Sequence, residues 1–371
     1  MKRTLWLRSE TKRFEERVAL TPVQAKDLLD KGHRVVVEKS VLRVFKDEEY
    51  QAVGCEMKAS QSWITEAPPE ATIFGLKELN TDDFSLPHRH IHFAHAYKTQ
   101  DGADQFLGRF AEGEGKLFDL EYLTHSNGKR VAAFGVWAGF TGAALGLDLW
   151  INQLLKLDIN KRGPLSSYPS SDALVQTIKS HLADLDGLKP KVLIIGAKGR
   201  CGQGAQKFFK ALNIEPTCWS SRDTLGKSNI SEILDYDLLI NCALMTKKAT
   251  PWLSLDMLDG RQRLTTLSDI SCDPTGPCNP LPLYPHATTM EKPAYYIKNK
   301  NFAVTAIDHL PSLLPRESSE DFAQQLYPHL LNYMEGNIVH GPWERALNLF
   351  YKNLFSYHPG PGLDTAPVAL Q

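Results

Sequence analysis

The chain has 371 residues, with 42 Lys and Arg against 43 Asp and Glu and a formal net charge of −1. So balanced a charge leaves no long-range field to draw in nucleic acid or an anionic membrane, and a protein that acts on small molecules is expected. The length suits about two domains of about 150 residues each.

In chain order, the opening MKRTLWLRSE has only a short apolar run before the next charge, too short for a signal-peptide core, so a cytoplasmic location is expected. RTLWLRSE, HRVVVEKS, ATIFGLKEL, HIHFAHAY and KLFDLEYL read as strands; TPVQAKDLLDKG, EEYQAVG and GADQFLGRFAEG read as helices. This alternation predicts an α/β domain over residues 1–130, with a parallel sheet covered by helices on both faces.

VAAFGVWAGFTGAALGL, 131–147, is uncharged and near the lower length limit of a membrane span. Its glycines at 135, 139, 142 and 146 form one stripe of a helix, which lets another backbone approach closely. A packed helix over 131–156 is therefore expected instead, and no membrane association.

A polar loop, KRGPLSSYPSSD, and a helix, ALVQTIKSHLADL, lead to KVLIIGAKGRCGQGAQKFF. Strands are then expected at EPTCW, YDLLINCALM, RLTTLSDIS and NFAVTAIDHL. They complete a second doubly wound domain over 131–319. Two amphipathic segments, DFAQQLYPHLLNYMEG and PWERALNLFYKNLF, close the chain, and residues from about 320 are assigned to the first domain.

KVLII followed by Gly196-x-x-Gly199-x-x-Gly202, with Gly204 beyond, is the pattern of a dinucleotide-binding turn. Gly196 permits the tight turn and Gly199 the approach of a pyrophosphate, while Gly202 or Gly204 lets the helix pack on the strand. The helix N-terminal amides would face the anion. A purely structural turn is the alternative. An acid that reads the ribose is expected about 20 residues on. That place holds CWSSRDT: Ser220-Ser221-Arg222 replaces the expected acid and Asp223 comes late, so NAD is expected while a 2′-phosphate, and hence NADP, stays open. A solvated loop is the bland reading of the same stretch.

The first domain offers charged residues at strand ends, where open α/β sheets bind ligands: Arg17, Lys77, Glu78, His95, Glu121 and Arg130. Arginine suits carboxylates, and a lysine with a histidine can exchange protons near neutral pH if the site depresses the lysine. Lys77 and Glu78 as an ordinary exposed pair is the competing reading. His88, His90 and His92 share one strand face and His95 the other, so no metal is expected. The six cysteines are scattered without a CxxC pair, as suits reduced thiols. Cys201 and Cys242 could come near each other at the cofactor side, with core or loop thiols as the default reading.

LRSETKRFEERVALTP, FGLKE, FAHAYK, DLEYL, RVAAFG-x-x-AG-x-x-GAALG, VLIIGA-x-GRCG-x-GA, DIS-x-D and AIDHLPSLLPRE, in this order over residues 4–330, resemble the lysine-forming saccharopine dehydrogenase family, related to alanine dehydrogenase and the transhydrogenase nucleotide-binding fold. The resemblance implies two Rossmann-like domains with the active site in the interdomain cleft, and reversible oxidative deamination of saccharopine to L-lysine and 2-oxoglutarate. It also implies that Lys77 and His95 form the acid–base pair. Arg17, Glu78, Gln100, Glu121, Arg130 and Phe134 would then line the substrate, and Gly199, Arg200, Thr224, Ile307, Asp308, His309 and Leu310 the nucleotide, beside Gly196, Gly202 and Ser220. The family pattern has aspartate where this chain has Ser220. Another opine or amino-acid dehydrogenase, or a catalytically silent nucleotide sensor, are the alternatives. Oligomeric state is not encoded in these motifs.

Overall fold

The computed structural model describes residues 2–97, 102–245, 247–248 and 250–357. The chain divides into two compact units, one of residues 1–133 and 318 onward, the other of residues 134–317.

The first unit begins with β1 (Thr4–Leu7), α1 (Pro22–Asp30), β2 (Arg34–Glu38), α2 (Asp47–Ala52), β3 (Glu56–Lys58) and α3 (Trp63–Glu66). It continues with β4 (Thr72–Phe74), β5 (Arg89–His92), α4 (Ala103–Gly113) and β6 (Lys116–Asp119). The sheet order is β3-β2-β1-β4-β5-β6 with every pair parallel. Connections run outward in one direction from β1 and in the other from β4, so the topological switch point lies between these two strands, where a crevice opens at their carboxyl ends. β1 is buried along its whole length, as a strand covered on both faces must be, and the apolar TLWL meets that demand. β3 and α3 were not expected from the sequence. The strands are also shorter than their apolar runs: β4 ends at Phe74 and β5 at His92, so Lys77 and His95 lie in the loops that follow.

The second unit holds α5 (Gly135–Leu154), α6 (Ser171–Ala183), β7 (Val192–Ile195), α7 (Arg200–Ala211), β8 (Thr217–Trp219) and α8 (Ser221–Thr224). β9 (Leu238–Asn241), β10 (Thr266–Asp269), β11 (Tyr295–Tyr296) and β12 (Ala303–Thr305) follow. The sheet order is β11-β12-β10-β9-β7-β8, parallel except for the two-residue edge strand β11. Its switch point lies between β7 and β9. Two apolar layers sandwich the sheet, one around Phe140, Leu147 and Phe208, the other around Leu239, Leu267 and Val304.

The helix expected over 131–156 starts four residues late, at Gly135; Val131 and Ala132 are buried but not helical. Its glycine stripe does what the spacing demands. A Cβ on Gly139 would overlap the Cys201 carbonyl at the start of α7, and one on Gly146 would come within 2.8 Å of Ser268 on β10. Among the described residues no helix is long and apolar enough to cross a membrane.

Two further helices, α9 (Pro315–Glu335) and α10 (Pro342–Tyr357), close the described chain. α9 begins six residues before the amphipathic pattern did. It sends Phe322 against Phe93 and Tyr333 against Phe118, while α10 sets Phe350 against Phe110. The C-terminal segments therefore complete the core of the first unit.

Candidate active site

In the first unit, the loop after β4 carries Lys77 at the switch point and is clamped from the loop after β1. Glu10 accepts from the Leu76 and Lys77 amides at 2.6 and 3.0 Å. Arg8 donates to the Lys77 carbonyl and pairs with Glu10 at 3.3 Å. Both side chains are almost fully buried, and burial raises the Glu10 pKa above its usual value despite Arg8. Gly75 is where this clamp needs a missing side chain, because a Cβ there would meet the Arg8 guanidinium at 2.5–2.7 Å.

The Lys77 amine is half-buried, and its pKa is lowered, first by burial and then by the positive charge of Arg17; Glu15 opposes the shift. Arg17 and Glu15 are themselves buried and joined by two hydrogen bonds of 2.7 and 2.6 Å. Burial alone would raise Glu15, but the Arg17 charge and hydrogen bonds outweigh it and hold the carboxyl below its usual range. Lys77 and Glu78 are not a mutual surface pair: Glu78 bonds to Lys12, which holds its pKa down against the effect of burial.

His95 was expected to project from a strand. It instead lies three residues past the end of β5, exposed, with a left-handed backbone at φ 52°. Phe93, two residues before it, bonds to the Leu76 carbonyl at 3.0 Å, so the loops bearing His95 and Lys77 leave the sheet side by side. Glu121 follows β6 and pairs with Arg130 at 3.1 Å across a short hairpin closed by a bridge between Thr124 and Arg130. Gln100 lies outside the described residues. The strand-end rule that selects Lys77 selects Arg8 and Glu10 on equal grounds, yet they went unnamed, as did Lys12 and Glu15.

His88, His90 and His92 point into the core beside Trp63, Phe106 and Phe110, in edge-to-face ring contacts of 5.3–6.4 Å. Burial holds His90 far below its usual pKa and brings His92 to about 3, so these rings are neutral packing groups.

In the second unit, β7, the glycine turn and α7 form the expected strand–turn–helix. Gly196 has φ 82° and its α-carbon faces the Cys242 backbone of the loop after β9, so no side chain fits. A Cβ on Gly199 would touch only the Gly196 carbonyl, at 3.4 Å, which leaves the outer side of the turn open to a ligand backbone. Gly202 packs against the turn itself. Gly204, the other glycine that was a candidate for packing the helix on the strand, packs on Val136 of α5. α7 starts at Arg200, so its first amides face the turn, where the helix dipole favours an anion. A pyrophosphate fits this cradle.

Thr224 and Ile307 are buried, and Leu310 is buried with its carbonyl accepting from Thr141 at 3.1 Å; Asp308 is exposed and His309 half-buried. Phe134 caps the start of α5. Cys201 and Cys242 are thiols, and burial, with Cys201 adding to it, pushes the Cys242 pKa far up. Behind the switch point, buried Asp269 accepts from Asn241 at 3.0 Å and from Tyr284 at 2.8 Å, a network tying the ends of β9 and β10 that the sequence did not reveal.

Two doubly wound sheets, with a glycine turn at one switch point and a depressed lysine at the other, have the fold of the dinucleotide-dependent alanine dehydrogenase class, and the sequence relatives below place the chain among its dehydrogenases. Residues 6–141 match the alanine dehydrogenase/PNT N-terminal domain family. An L-alanine dehydrogenase structure is similar with a TM-score of 0.64 at 16% identity, over 96% of this chain and 99% of that one. In sequence, the chain is 42% identical over 360 residues to the saccharopine dehydrogenase (NAD(+), L-lysine-forming) of Yarrowia lipolytica, covering 94% of this chain and 97% of that protein. It is 43% identical over 361 residues to the enzyme of the same name from Candida glabrata, covering 94% and 96%. The chain belongs to the lysine-forming saccharopine dehydrogenase family.

Proposed function

We propose that this chain catalyses the reversible NAD-dependent oxidative deamination of saccharopine to L-lysine and 2-oxoglutarate, with the first unit binding the substrate and the second the nucleotide. The observation that carries the chemistry is Lys77: an amine of lowered basicity, its backbone fixed on both sides, at the switch point of the first sheet. Bound NAD supplies the acceptor for the hydride that leaves the glutamyl carbon of saccharopine.

Lys77, acting through the neutral form that its lowered pKa favours, takes the proton of the secondary amine as the carbon–nitrogen double bond forms. Water then adds to that imine carbon, and His95 moves the protons of addition and of carbon–nitrogen cleavage, releasing the amine as lysine and the carbonyl as 2-oxoglutarate. Arg17 and Arg130 counter substrate carboxylates. Each is already paired with an acid, Glu15 and Glu121, which keeps a buried or half-buried guanidinium oriented before substrate arrives. Glu78 balances charge near Lys77, while Gln100 and Phe134 contact the substrate. On the nucleotide side, Gly196, Gly199, Arg200 and Gly202 hold the pyrophosphate, Ser220 and Thr224 border the ribose, and the run Ile307, Asp308, His309, Leu310 borders the nicotinamide half.

The test is the fall in nicotinamide absorbance when NADH is mixed with lysine and 2-oxoglutarate, with pyruvate replacing the oxoacid in parallel. Oxidation that needs lysine and 2-oxoglutarate together is expected. Equal rates with pyruvate, or none with lysine, would make it a different opine or amino-acid dehydrogenase.

A further inference from the structure

The strand that follows a glycine turn normally ends in the acid that reads the ribose of NAD. Here β8 ends at Trp219 and the next residue is Ser220, which cannot act as that anion. The two places are nonetheless joined as the fold requires: the Trp219 carbonyl accepts from the amides of both Gly196 and Ala197, at 3.0 and 3.1 Å, so the end of β8 adjoins the pyrophosphate cradle.

A carboxylate does stand at this strand end. Asp223 turns back along α8, and its Oδ2 accepts from the Ser220 amide at 2.7 Å and from the Ser220 hydroxyl at 3.0 Å. Three residues late in sequence, it is fixed beside the position from which the acid is missing. We propose that Asp223 is the residue that selects NAD over NADP in this chain, its carboxylate taking the place of the strand-terminal acid and Ser220 holding it there.

The hydrogen bonds from Ser220, backbone first and then hydroxyl, lower the Asp223 pKa below its usual value and fix the carboxylate in place, where it can accept from a ribose hydroxyl and its charge repels a 2′-phosphate. The exposed Arg222 beside it would otherwise favour that phosphate. Ser220 is thus a support, and reading its serine as a sign of NADP specificity follows only if the side chain three residues on is left out.

The inference rests on the dinucleotide reading of the second unit, and its test uses binding without substrate. NADH and NADPH are titrated separately against the full chain, with nucleotide fluorescence as readout, for the wild type, Asp223→Ser and the double variant Ser220→Asp/Asp223→Ser. The wild type is expected to bind NADH more tightly, by about tenfold or more. Asp223→Ser is expected to lose most of that preference, and the double variant to recover it with the acid moved to the strand end.

An unchanged ratio of the two dissociation constants in Asp223→Ser overturns the proposal, as does a wild type that binds NADPH equally well. If Asp223→Ser binds neither nucleotide, the double variant decides: recovered NADH preference supports the proposal, and continued loss overturns it. Failure of lysine and 2-oxoglutarate to support NADH oxidation would reject the assigned reaction while leaving these binding ratios intact.

Discussion

Arg17 donates from Nε and from one Nη to the two carboxylate oxygens of Glu15, at 2.7 and 2.6 Å, and both side chains are buried. Burial is the main cause of the lowered Lys77 pKa, and the pair adjusts it from both directions, since Arg17 lowers it further and Glu15 raises it. Glu15→Gln removes the raising charge and one of the two oxygens that accept from Arg17. If Lys77 is the base proposed above, saccharopine oxidation needs its neutral form, and kcat/KM is expected to climb as pH rises through the lysine pKa. In Glu15→Gln this limb is expected to move to lower pH. A pH profile of kcat/KM checks it, and a limb that stays in place or moves to higher pH would exclude electrostatic control by Glu15.

Lys77 itself separates chemistry from binding. Lys77→Met keeps a flexible chain of similar length but no proton acceptor, so kcat is expected to fall by about 10²–10⁴-fold, the usual worth of a positioned acid or base. NADH affinity, measured by titration, should stay within about twofold. Equal losses in both would make Lys77 a structural residue.

The contrast between these groups and the rest of the site shows which features a sequence carries. The glycine turn was readable because its demands are local: Gly196, Gly199 and Gly202 are constrained by the same few residues that contain them. His88, His90 and His92 showed their shared face through the period of two. Only the opposing Trp63, Phe106 and Phe110 make that face a packed core. The Arg8–Glu10 clamp joins residues 66–69 positions apart, and nothing in LRSE says which loop it will meet. The late place of Asp223 was legible, but its return was not: a four-residue helical turn brings the side chain back to the strand end, and counting residues from the glycines cannot register that.

Glu38, at the end of β2, is the hub of the first unit. Its Oε1 accepts from the Trp6 indole at 3.0 Å and the Trp63 amide at 2.8 Å. Its Oε2 accepts from the Ser9 amide, the Ser9 hydroxyl and the Gln61 amide at 2.9, 3.0 and 2.8 Å. One carboxylate thus ties β1, β2 and the start of α3. Glu38→Ala leaves several buried donors without an acceptor and should cost about 3–5 kcal/mol, as when a partner is removed from a buried charged network. Glu38→Gln keeps one acceptor oxygen and should cost about 1–3 kcal/mol. Denaturant unfolding followed by tryptophan fluorescence measures both, and equal stability of Glu38→Ala and wild type would refute the hub.

The buried histidines predict how stability depends on pH. His88, His90 and His92 all have folded pKa values below the usual value, His92 at about 3. Above about 6.5 the rings are neutral in folded and unfolded chains and have no effect. Below it the unfolded chain takes up protons that the folded core refuses, so stability falls as pH drops. Each ring contributes a slope of up to about 1.4 kcal/mol per pH unit, until its own folded pKa is reached. His90 has neither ring nitrogen hydrogen-bonded among the described residues, so His90→Phe removes a titrating group without removing a partner. The variant should show a shallower loss of stability between pH 7.5 and about 5.5 in urea unfolding. Identical slopes would mean that His90 is protonated in the folded core.

The contact between α5 and α7 rests on absent side chains. A Cβ on Gly139 would overlap the Cys201 carbonyl and lie 2.8 Å from the Cys201 α-carbon; one on Gly204 would overlap the Val136 carbonyl and lie 3.0 Å from the Phe140 amide. Backbone stands on both sides, so no rotamer change can relieve the clash and the helices must separate. Gly139→Ala should therefore destabilise the second unit by about 1–3 kcal/mol or more. Because Cys201 lies in the first turn of α7, the same separation displaces the helix N-terminal amides proposed to hold the pyrophosphate, and NADH affinity should fall with stability. Thermal melting with and without NADH measures both consequences. A Gly139→Ala variant that melts lower but gains the wild-type stabilisation from NADH would show that helix spacing and nucleotide binding are independent.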